Sequence, residues 1–367
     1  MKVHLHGWFG FKNLGDDLLL QQAVNVIGSV VGVDRIEVGV NEPEYLEGFL
    51  KSDVEVAFSS RSTGYLFRSA FANDVLVIGP GGLFPHRNPL KVFAYLLLTG
   101  WWKILGKKVL YFGLGATSLQ DSFSIACWRR IASLSDAFLT RDSDLLNACS
   151  INETDTVYSA ADAVFLGSDD CRVQTNRRVA AVAFANLYHY GEDGFDGFKT
   201  DCARLVEHLA DRLDKIELLS FTAGADEELN EQIADILGLS NVVALPYEAT
   251  LDAVSHSKNY SLVLGMRFHS VLLSAREGIP VVAISYAHKT ERLLSNLGLT
   301  DECIKFCKDT EGYYERYMPL EVDLIKRECD AALNNPRNYT AKIESVEMMK
   351  ESALEMALTL QSVLKSD

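Results

Sequence analysis

No stretch of this 367-residue chain is apolar for long enough to cross a bilayer. The longest such run, VFAYLLLTGWW at Val92–Trp102, has eleven residues, where a spanning helix takes about 20. The N-terminus, MKVHLHGWFGF, lacks the long apolar core and small-residue cleavage site of a secretory leader. A cytoplasmic setting is therefore expected. An excess of basic residues is also missing. The net charge is −15 and the isoelectric point about 5.0, which argues against a nucleic-acid partner, because that needs a basic face. An anionic substrate stays compatible, since a few arginines make a locally positive pocket on an acidic protein.

Paired-cysteine motifs are absent. The seven cysteines are scattered, and Cys303 and Cys307, four apart, have no histidine partner pattern. They read as small buried apolar residues in a reducing compartment. His4 and His6 alternate on one face of the first strand, but no third ligand follows at zinc spacing. The glycines at 7, 10 and 15 do not form a dinucleotide fingerprint, and there is no P-loop and no GxSxG elbow. No metal and no cofactor is expected. Short-period repeats and low-complexity tracts are lacking too.

Apolar material, by contrast, is plentiful. Hydrophobic residues make up 48% of the chain and charged residues 23%, enough for two ordinary cores at this length. Strand-like runs at 2–7, 35–40, 53–58, 74–80, 107–115, 136–141 and 156–162 alternate with helical segments such as Asp16–Val30 and Ile125–Leu134. After the polar stretch 167–178 a second set follows, at 178–186, 215–221, 241–247, 260–266 and 280–286. Helices fit between these strands at 200–213 and 227–237. Such alternation predicts βαβ units and parallel sheets. The expected fold is α/β, with two Rossmann-like domains, 1–173 and 174–319, facing a cleft. Helices over 320–367 follow, the last of them packing back on the first domain.

Ligands of open parallel sheets sit beyond the carboxyl ends of strands, so the loops there carry the candidates. GWFGFKNLGDDLLL, Gly7–Leu20, enters a helix that Asp16 is placed to cap, with Asp17 at its positive end. The glycine-rich turn IGPGGLFPHRNPL, with Gly81 and Gly82, offers N–H groups that can cradle an anion; a plain sharp turn is the competing reading. LTRDSDLL puts Arg141 at a strand end, with Asp142 or Ser143 as a helix cap and a surface Arg–Asp pair as the alternative. VLGMRFHSVLL sets Arg267 and His269 on the first turn of a helix that ends at Gly278. In the adjacent βα loop, GIPVVAISYAHKTERLL supplies His288 and Lys289. If the two strands are parallel, Arg267, His269 and Lys289 converge on an anion.

Five pieces in this order, GFKNLGDDLLL at 10–20, GPGG at 79–82, TRDSD at 140–144, GMRFHS at 265–270 and GIPVVAISYAHK at 278–289, resemble the polysaccharide pyruvyl transferase family. The resemblance implies a GT-B-like fold, phosphoenolpyruvate as donor, and as acceptor a sugar of a surface polysaccharide or of its lipid-linked precursor. The product is then a cyclic pyruvate ketal, with phosphate released. On that basis Arg267, Lys289 and Arg141 are expected to hold the donor's carboxylate and phosphate. His269 is the expected acid at the enol carbon. Asp16 or Asp17 would take a hydroxyl proton, with Asn13 holding the sugar and Gly15, Gly81 and Gly82 shaping the loops. The chain departs from the family at Ala287 and His288, where an acidic residue and proline are often found, and at Pro80, where glycine is commoner.

Two other readings compete. A GT-B nucleotide-sugar glycosyltransferase would share the architecture, but its carboxyl-terminal glutamate motif for the ribose has no placed counterpart here. A non-catalytic polysaccharide-assembly protein would need an exposed apolar surface. LLLTGWWKILGKK at 96–108 suggests one, with Trp101, Trp102, Lys103, Lys107 and Lys108 resembling anchors for a peripheral membrane contact. An amphipathic helix packed on the sheet is the competing explanation of that segment.

Overall fold

The computed structural model describes residues 1–84, 88–116, 121–167, 178–186, 194–255, 260–286, 288–299, 303–305 and 320–366. Most of the polar stretch 167–178, Ala287, and the side chain of His288 lie outside the described residues. The chain forms two compact units, Met1–Gly167 completed by Met348–Asp367, and Ser168–Glu347. The helical tail expected over 320–367 is thus divided between them.

The first unit runs β1 (Lys2–Phe9), α1 (Leu14–Gly28), β2 (Arg35–Val40), α2 (Leu46–Phe49), β3 (Glu55–Ser60), α3 (Thr63–Ser69), β4 (Val75–Ile78), β5 (Gly81–Phe84), α4 (Pro89–Ile104), β6 (Lys108–Ala116), α5 (Ser122–Leu134), β7 (Ala137–Thr140), α6 (Asp144–Cys149) and β8 (Val157–Ser159). The strands form one eight-stranded sheet in the order β3-β2-β1-β4-β6-β7-β8, with β5 on β6. These pairings are parallel. Val3, Leu5 and all of Val75–Ile78 are buried, as expected of strands covered on both faces. One side of the sheet packs Trp102, Trp128, Tyr111 and Phe138 into a single cluster. Strand order reverses between β1 and β4, which makes their carboxyl ends the place for a ligand.

In residues 96–108, the suggested anchors Trp102, Lys103, Lys107 and Lys108 have partners within the protein. Trp102 is fully buried and donates its indole N–H to Leu66 O at 3.2 Å. Lys103 pairs with Asp136 at 2.7 Å and Lys107 with Asp74 at 3.5 Å. Lys108 donates to the carbonyl of Val363 at 3.0 Å. These side chains are held by the protein itself.

The second unit continues with β9 (Val179–Ala183), α7 (Phe195–Ala210), β10 (Lys215–Leu219), α8 (Ala225–Leu237), β11 (Val242–Leu245), α9 (Tyr247–Ser255), β12 (Leu262–Gly265), α10 (Phe268–Arg276), β13 (Val281–Ser285), α11 (His288–Asn296), β14 (Cys303–Lys305) and α12 (Val322–Asn334). Its six strands are ordered β11-β10-β9-β12-β13-β14, so the reversal lies between β9 and β12. The register aligns Ala183, Gly265 and Ala283 across three parallel strands. A Cβ on Gly265 would stand 2.7 Å from Ser270 Oγ and 3.0 Å from Val271. Glycine there lets α10 lie close against its strand. As expected, α10 stops before Gly278, which takes φ +69°.

A final helix, α13 (Ile343–Lys365), belongs to the first unit from Met348 onward. Tyr158 Oη donates to Thr359 Oγ1 at 3.0 Å, the Ala161 N–H to Ser352 Oγ at 3.1 Å, and Gln361 Nε2 to Ser29 Oγ at 2.8 Å. Among the described residues no helix is long and apolar enough to cross a membrane. Cys127, Cys149, Cys202 and Cys329 are buried, unbridged thiols, and burial pushes Cys149 up to about 11.

Candidate functional site

In the first unit the loop after β1 delivers Asn13, Asp16 and Asp17. The cap of α1 is Asn13, not Asp16: Asn13 Oδ1 accepts the Asp16 N–H at 3.4 Å. The helix begins earlier than expected because Asn is as good a cap as Asp. Gly15 and Asp17 are buried. Both carboxylate oxygens of Asp17 lie 3.1 Å from Tyr45 Oη, and that phenol accepts the Lys12 N–H at 3.0 Å. Burial first, then the Asp17 charge, raises the Tyr45 pKa well above its usual value. Asp17 thus fastens the loop, while Asp16 is only partly covered.

Asp16 meets the glycine-rich turn. A Cβ on Gly81, which has φ +111°, would come within 3.2 Å of Asp16 Oδ1. Arg141 approaches the same turn from the end of β7. Its Nη2 would lie 3.8 Å from a Cβ on Gly82. A Cβ on Gly115 of β6 would sit 2.3 Å from Arg141 Nε, so glycine there opens the path for this side chain. Arg141 donates to Asp162 Oδ2 at 2.8 Å, and both side chains are nearly buried. Burial disfavours the arginine's charge, but Asp162, Asp142 and Asp16 outweigh it and hold its pKa above the ordinary value. The Asp142 carboxylate accepts the Asp144 N–H at 3.2 Å, whereas Ser143 makes no side-chain cap bond.

Two side chains around β1, Arg61 and Tyr95, were not singled out from sequence, and they join His6 of the first strand. Arg61, just after β3, donates to the Gly7 carbonyl at 2.9 Å. Its guanidinium carbon lies 4.8 Å from the Trp8 ring centre and 4.7 Å from that of Phe11, within cation–π range. Burial lowers the Arg61 pKa, against the pull of Tyr95 and Asp16. His6 and Tyr95 are joined at 2.9 Å. Burial chiefly, then His4 and Arg61, holds His6 down at about 3, so its ring is neutral. Tyr95 is pushed up to about 12 by burial. Beside Arg61, an open cleft of about 460 Å³ is lined by Val40, Asn41, Pro43, Ser59 and Ser60 at the ends of β2 and β3.

In the second unit Arg267 stands at the N-cap of α10, two residues past the strand end and next to the order reversal. A guanidinium only donates, so it cannot cap the helix as an acidic or hydroxyl side chain would. Instead it turns to Asp226, with Nε and Nη2 on the two carboxylate oxygens at 3.0 and 2.5 Å. Asp226 is fully buried and also accepts the N–H groups of Asn186 at 3.1 Å and Thr222 at 2.9 Å. Loops after β9, β10 and β12 are thereby tied together. Burial raises the Tyr286 pKa, and Arg267 acts on it in the opposite sense.

His269 follows in the first turn of α10. Phe268 touches both neighbours: its ring centre is 5.2 Å from that of His269, and Lys289 Nζ lies 5.1 Å over its face. Lys289 is exposed and sits in the first turn of α11 rather than in a loop. Among the described residues, no group of three His, Cys, Asp or Glu could hold a metal ion.

Solved structures share this architecture. The fold is that of the GT-B glycosyltransferases and epimerases. A UDP-GlcNAc 2-epimerase from Neisseria meningitidis, bound to UDP-GlcNAc, aligns at a TM-score of 0.60 and 12% identity, over 99% of this chain and 100% of that one. A UDP-glucosyltransferase from Polygonum tinctorium aligns at 0.59 and 11%, over 100% and 99%. The glycosyltransferase SnogD from Streptomyces nogalater aligns at 0.52 and 13%, over 100% and 98%. No curated protein matches the sequence. The family is set by its own model: the chain belongs to the polysaccharide pyruvyl transferases, matched over residues 13–288.

Proposed function

We propose that this transferase takes phosphoenolpyruvate as donor and builds a pyruvate ketal on two hydroxyls of a saccharide, free in a polysaccharide or carried on a lipid. Family membership supports the class of reaction. The observation that carries the donor assignment is Arg267, presented at a helix N-terminus and held there by buried Asp226. Backbone N–H groups and a pre-oriented guanidinium suit a small molecule bearing carboxylate and phosphate. Lys289 adds positive charge to the same side of the second unit.

The reaction adds a proton to C3 of the enol, and one sugar hydroxyl attacks C2. Phosphate leaves as the second hydroxyl closes the ketal. Of the two hydroxyl protons, one balances the proton gained by C3 and the other leaves with phosphate. His269 is assigned the proton donor to C3. Asp16 is assigned the base for a hydroxyl, beside the positive charges of Arg141 and Arg61 that interact with it. The first unit is then the acceptor side, and the second the donor side.

Incubation with phosphoenolpyruvate and candidate glycans, followed by mass spectrometry, tests the reading. A pyruvate adduct with matching phosphate release is expected. Thermal stabilisation by UDP-sugars and none by phosphoenolpyruvate would favour a nucleotide-sugar glycosyltransferase instead.

A further inference from the structure

Helix α4 has two apolar faces. One buries Val92, Leu98, Thr99 and Trp102 against the sheet. On the other, Leu90, Phe93, Leu97, Trp101 and Ile104 fall within about 80° of arc at 3.6 residues per turn, with no charged residue among them. Leu97 is 50% exposed and Ile104 80%. The patch widens sideways. Phe71, after α3, is 71% exposed and stands edge-on to Trp101 with ring centres 6.0 Å apart. Phe123, at the start of α5, lies 5.8 Å from Phe93 and is itself exposed. Apolar surface continuous over three helices is unusual on a monomer and marks a binding face.

Charge identifies the occupant. Between Arg61 and Leu134 the chain carries nine lysines and arginines against two acids, Asp74 and Asp121, although its net charge is −15. Lys103 and Lys107 are spent on Asp136 and Asp74. Arg68, three residues before Phe71, Lys91, beside Leu90, and Arg130, two turns along α5 from Phe123, are exposed. An apolar stripe with aromatic members, rimmed by cations on an otherwise acidic protein, matches an anionic bilayer surface. We propose that this face of the first unit, formed by α4 with Phe71 and Phe123, docks on anionic lipid membranes. It inserts side chains into the interface without spanning it.

The test is sedimentation of the full chain with vesicles of phosphatidylcholine alone, and of phosphatidylcholine with about one part in three phosphatidylglycerol. Binding about tenfold stronger to the anionic vesicles is expected, and it should weaken as salt screens the cations. Leu97→Glu with Ile104→Glu should lower that binding about tenfold, at an unchanged near-UV spectrum, since both positions face solvent. Phe71→Glu, on a different element, should act in the same direction and guards against a folding defect in the double variant. Failure of the wild type to pellet with anionic vesicles would overturn the proposal, as would pelleting that none of these variants alters. A wild-type dimer in sedimentation equilibrium that these variants dissolve, with no vesicle binding, would assign the face to a second copy instead.

Discussion

Asp226 grips Arg267 at two points across 41 residues of sequence, and it does so while fully buried. Four N–H groups converge on one carboxylate from three separate loops. A buried charge so surrounded is stable only while every partner is present. The arrangement therefore sets the plane of the arginine fork before any ligand arrives.

Removing that grip should affect both fold and donor. Asp226→Asn should destabilise the protein by about 3 kcal/mol, read from urea titration, because the arginine loses its counter-charge. Arg267→Lys should fold nearly normally yet lower kcat/KM for phosphoenolpyruvate ~100-fold, since an ammonium cannot reproduce the fork. Unchanged kcat/KM in Arg267→Lys would remove Arg267 from the donor site.

Proton transfer should separate from binding. His269→Ala is expected to retain donor affinity, measured calorimetrically, while kcat falls ~100- to 10,000-fold. Asp16→Asn should lower kcat in the same range with an unchanged near-UV spectrum, because Asn13 caps α1 and Asp16 is partly exposed. Normal turnover in both variants would end the assignment of acid and base.

Gly115 is a structural test of Arg141. An alanine methyl there would stand 2.3 Å from Arg141 Nε, and moving that side chain strains a nearly buried pair with Asp162. Gly115→Ala should cost about 1–3 kcal/mol and reduce turnover as well. A melting temperature equal to wild type would mean that the arginine has another route across the sheet.

Acid should destabilise the first unit early. Folded His6 stays neutral down to about 3, whereas the unfolded chain takes up that proton near 6.5. The stability it contributes is complete above the unfolded value and is lost as pH falls toward the folded one, amounting to about 1.4 kcal/mol by pH 5.5. Glu37, held at about 2, first by its bond to His4 and then by Tyr65 and Asn73 against burial, acts in the same direction below about 4.5. Urea titrations at pH 7.5 and 5.5 should show the loss, and His6→Gln should flatten it.

The alternation of strands and helices was legible in the chain, as were the loops bearing Asp16, Arg141 and Arg267. Apolar runs bounded by glycine and proline reveal strands locally. They do not reveal strand order, nor β5 and β14, which are four and three residues long. Asp226 escaped notice because in GADEELN it looks like any acid in a first helical turn, and its meaning depends on an arginine far along the chain. Arg61 in SSRSTG resembles a polar loop residue; only folding brings it to Trp8 and Phe11. Which of the anchors suggested in 96–108 face outward was not legible for a related reason. Their composition suits an interface, but the register of α4 turns Trp102 inward and leaves Leu97 and Ile104 outside.

The return of α13 to the first unit has a consequence for synthesis. Ser352, Thr359 and Gln361 bind Ala161, Tyr158 and Ser29, so the amino-terminal unit stays incomplete until those residues leave the ribosome, although its strands are already made. The whole second unit is made in the meantime, as an insertion within the first. Maturation of the leading half is therefore a late event, and a nascent chain arrested before residue 348 should expose the flank of that sheet to proteases.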